Sequence, residues 1–143
     1  MRVRRSIIAV GAAVVVGTTG ALAPAAASAR SAAHTLNFAS VVHKFVRFGK
    51  TTGAQQDTDI SAADKIIGFD DANFAIGKTT SSADIAFVLS GGFLYGSLKV
   101  SLSTGAAAGR VTGGTGSFSG ATGTITGKSA GKDKEAITIT YST

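Results

Sequence analysis

Eight acidic residues and two histidines supply the acid–base chemistry available to this 143-residue chain, and it holds no cysteine. Thiol catalysis, disulfide frameworks and cysteine metal centres are therefore excluded. His34 and His43 stand in no spacing with carboxylates that would build a hydrolytic triad or a zinc site. His43 is the more informative of the two. Alternation places it on one strand face with Val41, Phe45 and Arg47, so both it and Arg47 are candidates to line an interior. Among the acids, Asp57 and Asp59 have the D-x-D spacing that opens a calcium loop. Position six of that loop falls on Ala62 and position twelve on Gly68, where a glycine and a bidentate glutamate are needed. The reading left for Asp57, Asp59 and Asp64 is a solvated loop with a cap by Ser61. Asp70, Asp71 and Asp84 instead adjoin apolar segments. A carboxyl held inside an apolar enclosure has its pKa raised and can give or take a proton. Alternation against Ile85 turns Asp84 outward, which leaves Asp70 as the strongest candidate acid, with His43 and Arg47 beside it.

The run Val111-Thr112-Gly113-Gly114-Thr115-Gly116-Ser117-Phe118-Ser119-Gly120 superficially matches a dinucleotide fingerprint. Phosphate binding there requires a helix beginning directly after the turn. The next residues are Ala121-Thr122-Gly123-Thr124-Ile125-Thr126-Gly127, a composition that favours a strand. Too little chain remains beyond Gly120 for the rest of a βαβ sheet. These glycines read better as a tight turn and a place where two backbones pass closely. No cofactor is expected.

The elements that must position these residues are strands. Ile137, Ile139 and Tyr141 alternate with Thr138, Thr140 and Ser142. Leu94, Leu98, Val100 and Leu102 share one face, and Ile85, Phe87 and Leu89 alternate with polar or small neighbours. Such period-two patterns suit half-buried antiparallel strands. Leu36 to Phe48 is long enough for its apolar residues to change face, which predicts a bulge. Further strands are expected at 65–69, 73–77, 107–112 and 122–127, with a hairpin turn at Ser90-Gly91-Gly92 and an irregular loop over 55–64. Seven or eight short strands imply an all-β fold, a small closed antiparallel barrel of about eight strands.

The first 29 residues belong to a different design. Arg2, Arg4 and Arg5 precede an uncharged stretch from Ser6 to Ala29 that ends in Ala27-Ser28-Ala29, the pattern of a signal peptide cleaved after Ala29 or, as the near alternative, after Ala27. The expectation is a secreted protein whose domain spans 30–143, with no stable membrane insertion after cleavage. Arg4-Arg5 leaves the export route open between ordinary secretion and the twin-arginine pathway. From Arg30 on there are 11 Lys and Arg against 8 Asp and Glu, a net charge of +3 compared with +6 for the whole chain. Those basic residues are scattered singly, so no nucleic-acid partner is expected.

The segment Gly113-Gly114-Thr115-Gly116-Ser117-Phe118-Ser119-Gly120-Ala121-Thr122-Gly123 resembles the GGTGxFxGAxG segment of the allene oxide cyclase and dirigent barrel superfamily. The Gly68-Phe69-Asp70 region and the hairpin at Gly91–Gly96 precede it at similar distances, so the likeness spans about residues 36 to 142. The resemblance implies an eight-stranded barrel with an apolar cavity, assembled as a homodimer or trimer. It does not transfer the catalytic set of the plant cyclases, which is built on a buried glutamate with asparagine, proline and cysteine. From Arg30 on the chain has one glutamate, Glu135, read as part of a polar turn, and neither proline nor cysteine. Dirigent proteins use aspartates and arginine around the cavity, and Asp70 with Arg47 match those in type.

Phe38, Phe45, Phe69, Phe87, Leu98, Ile137 and Tyr141 are the candidate ligand-binding wall, with Phe93, Ile125 and Ile139 as further core. The first reading is a secreted barrel that binds a small apolar molecule in its cavity; the alternatives are a cofactor-free isomerase or cyclase, and an extracellular structural or interaction protein with a filled interior. A cavity holding a buried carboxyl would favour the enzyme, and one without an ionisable group the carrier.

Overall fold

The computed structural model describes residues 31–143, so the export signal lies outside the described residues. Eight antiparallel strands follow one another around a closed barrel: β1 (His34–Phe48), β2 (Thr52–Ile60), β3 (Ile66–Ile76), β4 (Thr80–Leu89), β5 (Gly92–Ser101), β6 (Ala107–Gly114), β7 (Thr122–Gly131) and β8 (Lys134–Ser142). Each strand pairs with its sequence neighbours, and β8 closes on β1 with Phe38 opposite Ile137. Closure leaves no unpaired edge, which suits a domain without proline.

The expected architecture is present, and two of its elements differ from the sequence reading. The segment read as an irregular loop is strand β2 for most of its length. The segments expected at 65–69 and 73–77 are a single strand, β3. Both differences have one cause. The inward positions of β2 are Gln55, Asp57 and Asp59, and β3 turns Asp70 inward, so the apolar alternation that marks a strand is replaced by polar side chains. The bulge expected in β1 falls between Val42 and Lys44, where the pairing with β2 shifts register. His43 is the extra residue. It is exposed on the outer face, while Phe45 and Arg47 beyond it turn to the mouth of the barrel, where both remain partly in solvent.

The barrel interior divides along its axis. At one end Phe87, Leu94, Ile125 and Ile139 are fully buried, and Phe38 meets Phe87 edge-on at 5.7 Å. A 3-10 turn (Gly116–Phe118) plugs this end by dropping Phe118 onto Tyr141, with ring centres 5.5 Å apart. The glycine segment makes the plug possible. Gly116 has φ +59, and a side chain there would strike the Gly91 carbonyl, beside which the Ser117 N–H donates to that same oxygen at 2.8 Å. Gly123 faces inward where β7 crowds the backbone of Thr140, leaving no room for a Cβ. The opposite end, bounded by the turns after β1, β3, β5 and β7, stays open.

Candidate functional site

Inside the open end lies a cavity of about 350 Å³. Its wall is apolar on the β3–β6 side, where Phe74, Ile85, Leu98 and Val100 face it, and Ile137 of β8 completes that surface. Its floor is acidic. Asp57 and Asp70 stand directly opposite each other on β2 and β3, and the next row inward holds Asp59 opposite Ser40. Ser40 in turn pairs with Glu135 of β8, whose carboxyl also lines the cavity. Asp57, Asp59 and Asp70 are only 5, 0 and 2 % exposed. Two carboxylates facing each other across a strand pair repel, so a purely structural sheet would avoid this arrangement.

The hydrogen bonds show how the repulsion is relieved. Ser40 Oγ lies 2.9 Å from Asp57 Oδ2 and 2.9 Å from Asp70 Oδ2. One hydroxyl has a single proton to donate, so Ser40 serves one of the two carboxyls at a time. Gln55 Nε2 donates to Asp57 Oδ2 at 2.7 Å, and the His43 backbone N–H at the bulge also serves Asp57. Asp57 Oδ1 has no partner. Neither oxygen of Asp59 meets an N–H or hydroxyl donor; its polar neighbour is the carboxyl of Asp70. Two acidic groups in contact are stable only when they share a proton.

Burial and mutual charge set where that proton resides. Burial first, then the charge of Asp70, pushes Asp59 up to about 8. Burial and the charge of Asp57 raise Asp70 to about 6, with the hydrogen bonds from Asp59 and Ser40 holding it lower. Asp57 and Glu135 are raised as well, each chiefly by burial. At neutral pH the pair Asp59–Asp70 therefore holds one proton, with Asp59 as its keeper and Asp70 facing the cavity as a carboxylate. The floor can hold a proton and accept one.

The expected site residues separate into three groups. Asp70, Arg47, Phe45, Leu98 and Ile137 line the cavity, with Arg47 at the rim donating to the Lys50 carbonyl at 3.2 Å and Phe45 meeting Phe74 edge-on at 6.2 Å. Phe38, Phe87 and Tyr141 face inward but pack the closed end, so they form core and no cavity wall. His43 and Phe69 point outward. The bulge breaks the alternation that grouped His43 with Phe45, and Phe69, on the odd-numbered face of β3 opposite inward Asp70, is 53 % exposed. Phe93 is likewise on the outer wall, stacked on Tyr95. Three acidic residues of the site escaped the sequence reading. Asp57 and Asp59 were assigned to a loop, and Glu135 to a turn although it is the second residue of β8. Their signal was the period-two spacing Asp57-x-Asp59, which puts both carboxyls on one face of a strand. Among the described residues no group of three or more His, Asp or Glu has the geometry to hold a metal ion.

No family model and no curated protein matches the chain. Solved structures do. A pyocyanin demethylase superposes with a TM-score of 0.66 at 18 % identity, covering 76 % of this chain and all of its own. The exo-specific intermolecular Diels–Alderase AbnU gives 0.63 at 10 % identity over 77 % of this chain and 98 % of that one. The pterocarpan synthase dirigent protein GePTS1 gives 0.59 at 16 % identity over 78 and 83 %. The chain therefore has the barrel fold shared by dirigent and Diels–Alderase barrels, as the glycine segment implied. At these identities the likeness concerns the fold alone.

Proposed function

We propose that this barrel is a cofactor-free isomerase or cyclase that binds a small, largely apolar molecule in the open half and moves a proton on it. The observation that carries the proposal is the buried carboxyl pair Asp59–Asp70 beside an open apolar cavity. A carrier of apolar ligands gains nothing from acids on its cavity floor, and a filled interaction module would have no cavity. In the reaction, Asp70 is the group that meets substrate and accepts or returns the proton. Asp59 sits behind it with no access to the cavity and holds the shared proton, and Ser40 links Asp70 to Asp57. The apolar wall excludes water and holds a flexible substrate in one folded shape, which lowers the entropy that ring closure requires. That the fold's neighbours are named for a demethylation, a Diels–Alder reaction and a pterocarpan synthesis supports small-molecule chemistry in such a cavity. The signal-like segment at 1–29 adds that the reaction occurs outside the cytoplasm.

Base-catalysed ring opening of nitrobenzisoxazole tests the proposal without knowledge of the natural substrate, because it needs only a carboxylate in a dry pocket. The rate should saturate with substrate and rise with pH through about 6, following Asp70. Asp70→Asn should lower it about a hundredfold. A wild-type rate equal to that of the Asp70→Asn variant would remove the proposal.

A further inference from the structure

We propose that the cavity floor recognises a positively charged nitrogen, so that the molecule it takes is a small amphiphilic amine entering head first. The inference rests on the cavity being the functional site, and it adds the sign and orientation of the ligand. Asp57 carries it. At 5 % exposure the residue is more than nine-tenths buried, it faces the cavity, and its Oδ1 has no donor while Oδ2 is supplied by Ser40 and Gln55. Glu135 presents a second carboxyl to the same space, and Asp70 a third.

Among the described residues no cation balances these acids on the floor. Arg47, the single basic side chain of those residues that lines the cavity, sits at the rim with its guanidinium turned to the Lys50 carbonyl. A wholly apolar ligand would close the cavity over these carboxyls without offering a donor and would leave Asp57 Oδ1, already out of reach of water, unpaired, which costs several kcal/mol. An anionic ligand would meet a floor of carboxyls with no cation among them. An ammonium or other protonated nitrogen supplies the missing donor and the missing charge together. The body of the ligand then lies against Phe74, Leu98 and Val100, and its far end reaches Phe45 and Arg47 at the rim. A metal ion fits less well, because these acids do not converge as a ligand set and the rest of the wall offers carbon instead of oxygen.

Calorimetric titration of the folded protein at neutral pH with benzylamine, benzyl alcohol and benzoate tests the sign of the site at nearly constant shape. Benzylamine should bind about tenfold more tightly than benzyl alcohol, with benzoate weakest. Asp57→Asn should bring amine and alcohol to equal affinity, Glu135→Gln should narrow their gap, and Phe74→Ala should weaken both alike. Equal or tighter binding of the alcohol, or an amine preference that survives Asp57→Asn, would overturn the inference. Displacement of benzylamine by calcium chloride, but not by sodium chloride at equal ionic strength, would also overturn it in favour of a metal site. Amine selectivity is read from equilibrium binding and proton transfer from nitrobenzisoxazole turnover of the unsubstituted protein, so failure of the amine inference and failure of the proton-transfer proposal are separable.

Discussion

Around Phe87, Leu94, Ile125 and Ile139 the barrel interior is packed with apolar side chains, and Phe118 seals its end. A few residues along the same strands, the interior holds four carboxyls, a serine and a glutamine around empty space. β3 passes from one regime to the other within its length, and Asp70 stands directly beside Phe87 of β4. The closed half carries the stability that lets the open half keep repelling acids at close range. The contrast teaches that a closed sheet tolerates a costly site when one end of its core is complete.

The largest effect should come from breaking that division of labour in the closed half. Phe87→Ala should destabilise the fold by about 3–5 kcal/mol in denaturant unfolding. Phe74→Ala, in the half-exposed cavity wall, should cost about 1–2 kcal/mol while strongly weakening ligand binding. Similar losses at the two positions would erase the distinction between the halves.

Next in size is the dependence of stability on pH. Unfolded, Asp59 has the ordinary value of 3.8; folded, it keeps its proton to about 8. Between those values the folded chain binds more protons, so stability is greatest at about pH 4 or below and falls as pH rises towards 8. Asp70 adds to the fall between 3.8 and about 6. The loss from Asp59 between pH 5 and 8 should exceed about 2 kcal/mol, since one pKa unit corresponds to about 1.4 kcal/mol. In Asp59→Asn the amide donates to Asp70 permanently, and thermal unfolding across this range should flatten. An unchanged slope in that variant would place the bound proton elsewhere.

The smallest effect is expected outside the barrel. His43→Ala should change stability by no more than about 0.5 kcal/mol and leave the pH profile of turnover intact, because the bulge serves Asp57 through the His43 backbone alone. A shifted profile would bring the imidazole back into the mechanism.

The same division explains what the sequence made legible. The closed half is written in clean alternation: Ile139-Tyr141 and Phe87-Leu89 are inward as read, and the glycine segment that resembles a dirigent barrel is the plug. The open half conceals its own strands. Gln55, Asp57 and Asp59 occupy inward positions where a core would place valine or leucine, so the pattern reads as loop where the chain is extended. Asp70 was legible because it interrupts an otherwise apolar face. Asp57 and Glu135 were not, because their neighbours around the barrel are brought together only by pairing β1 with both β2 and β8. His43 and Phe69 were misplaced by one residue of register, the first by the bulge and the second by its parity with Asp70.

The most direct test of the account is a carbon-13 NMR titration of the aspartate side-chain carboxyls in the folded protein. One buried aspartate should remain protonated at pH 7 and titrate near 8, a second should titrate near 6, and the higher transition should vanish in Asp59→Asn. If every aspartate is ionised by pH 5, the open half holds no proton and the central claim is contradicted.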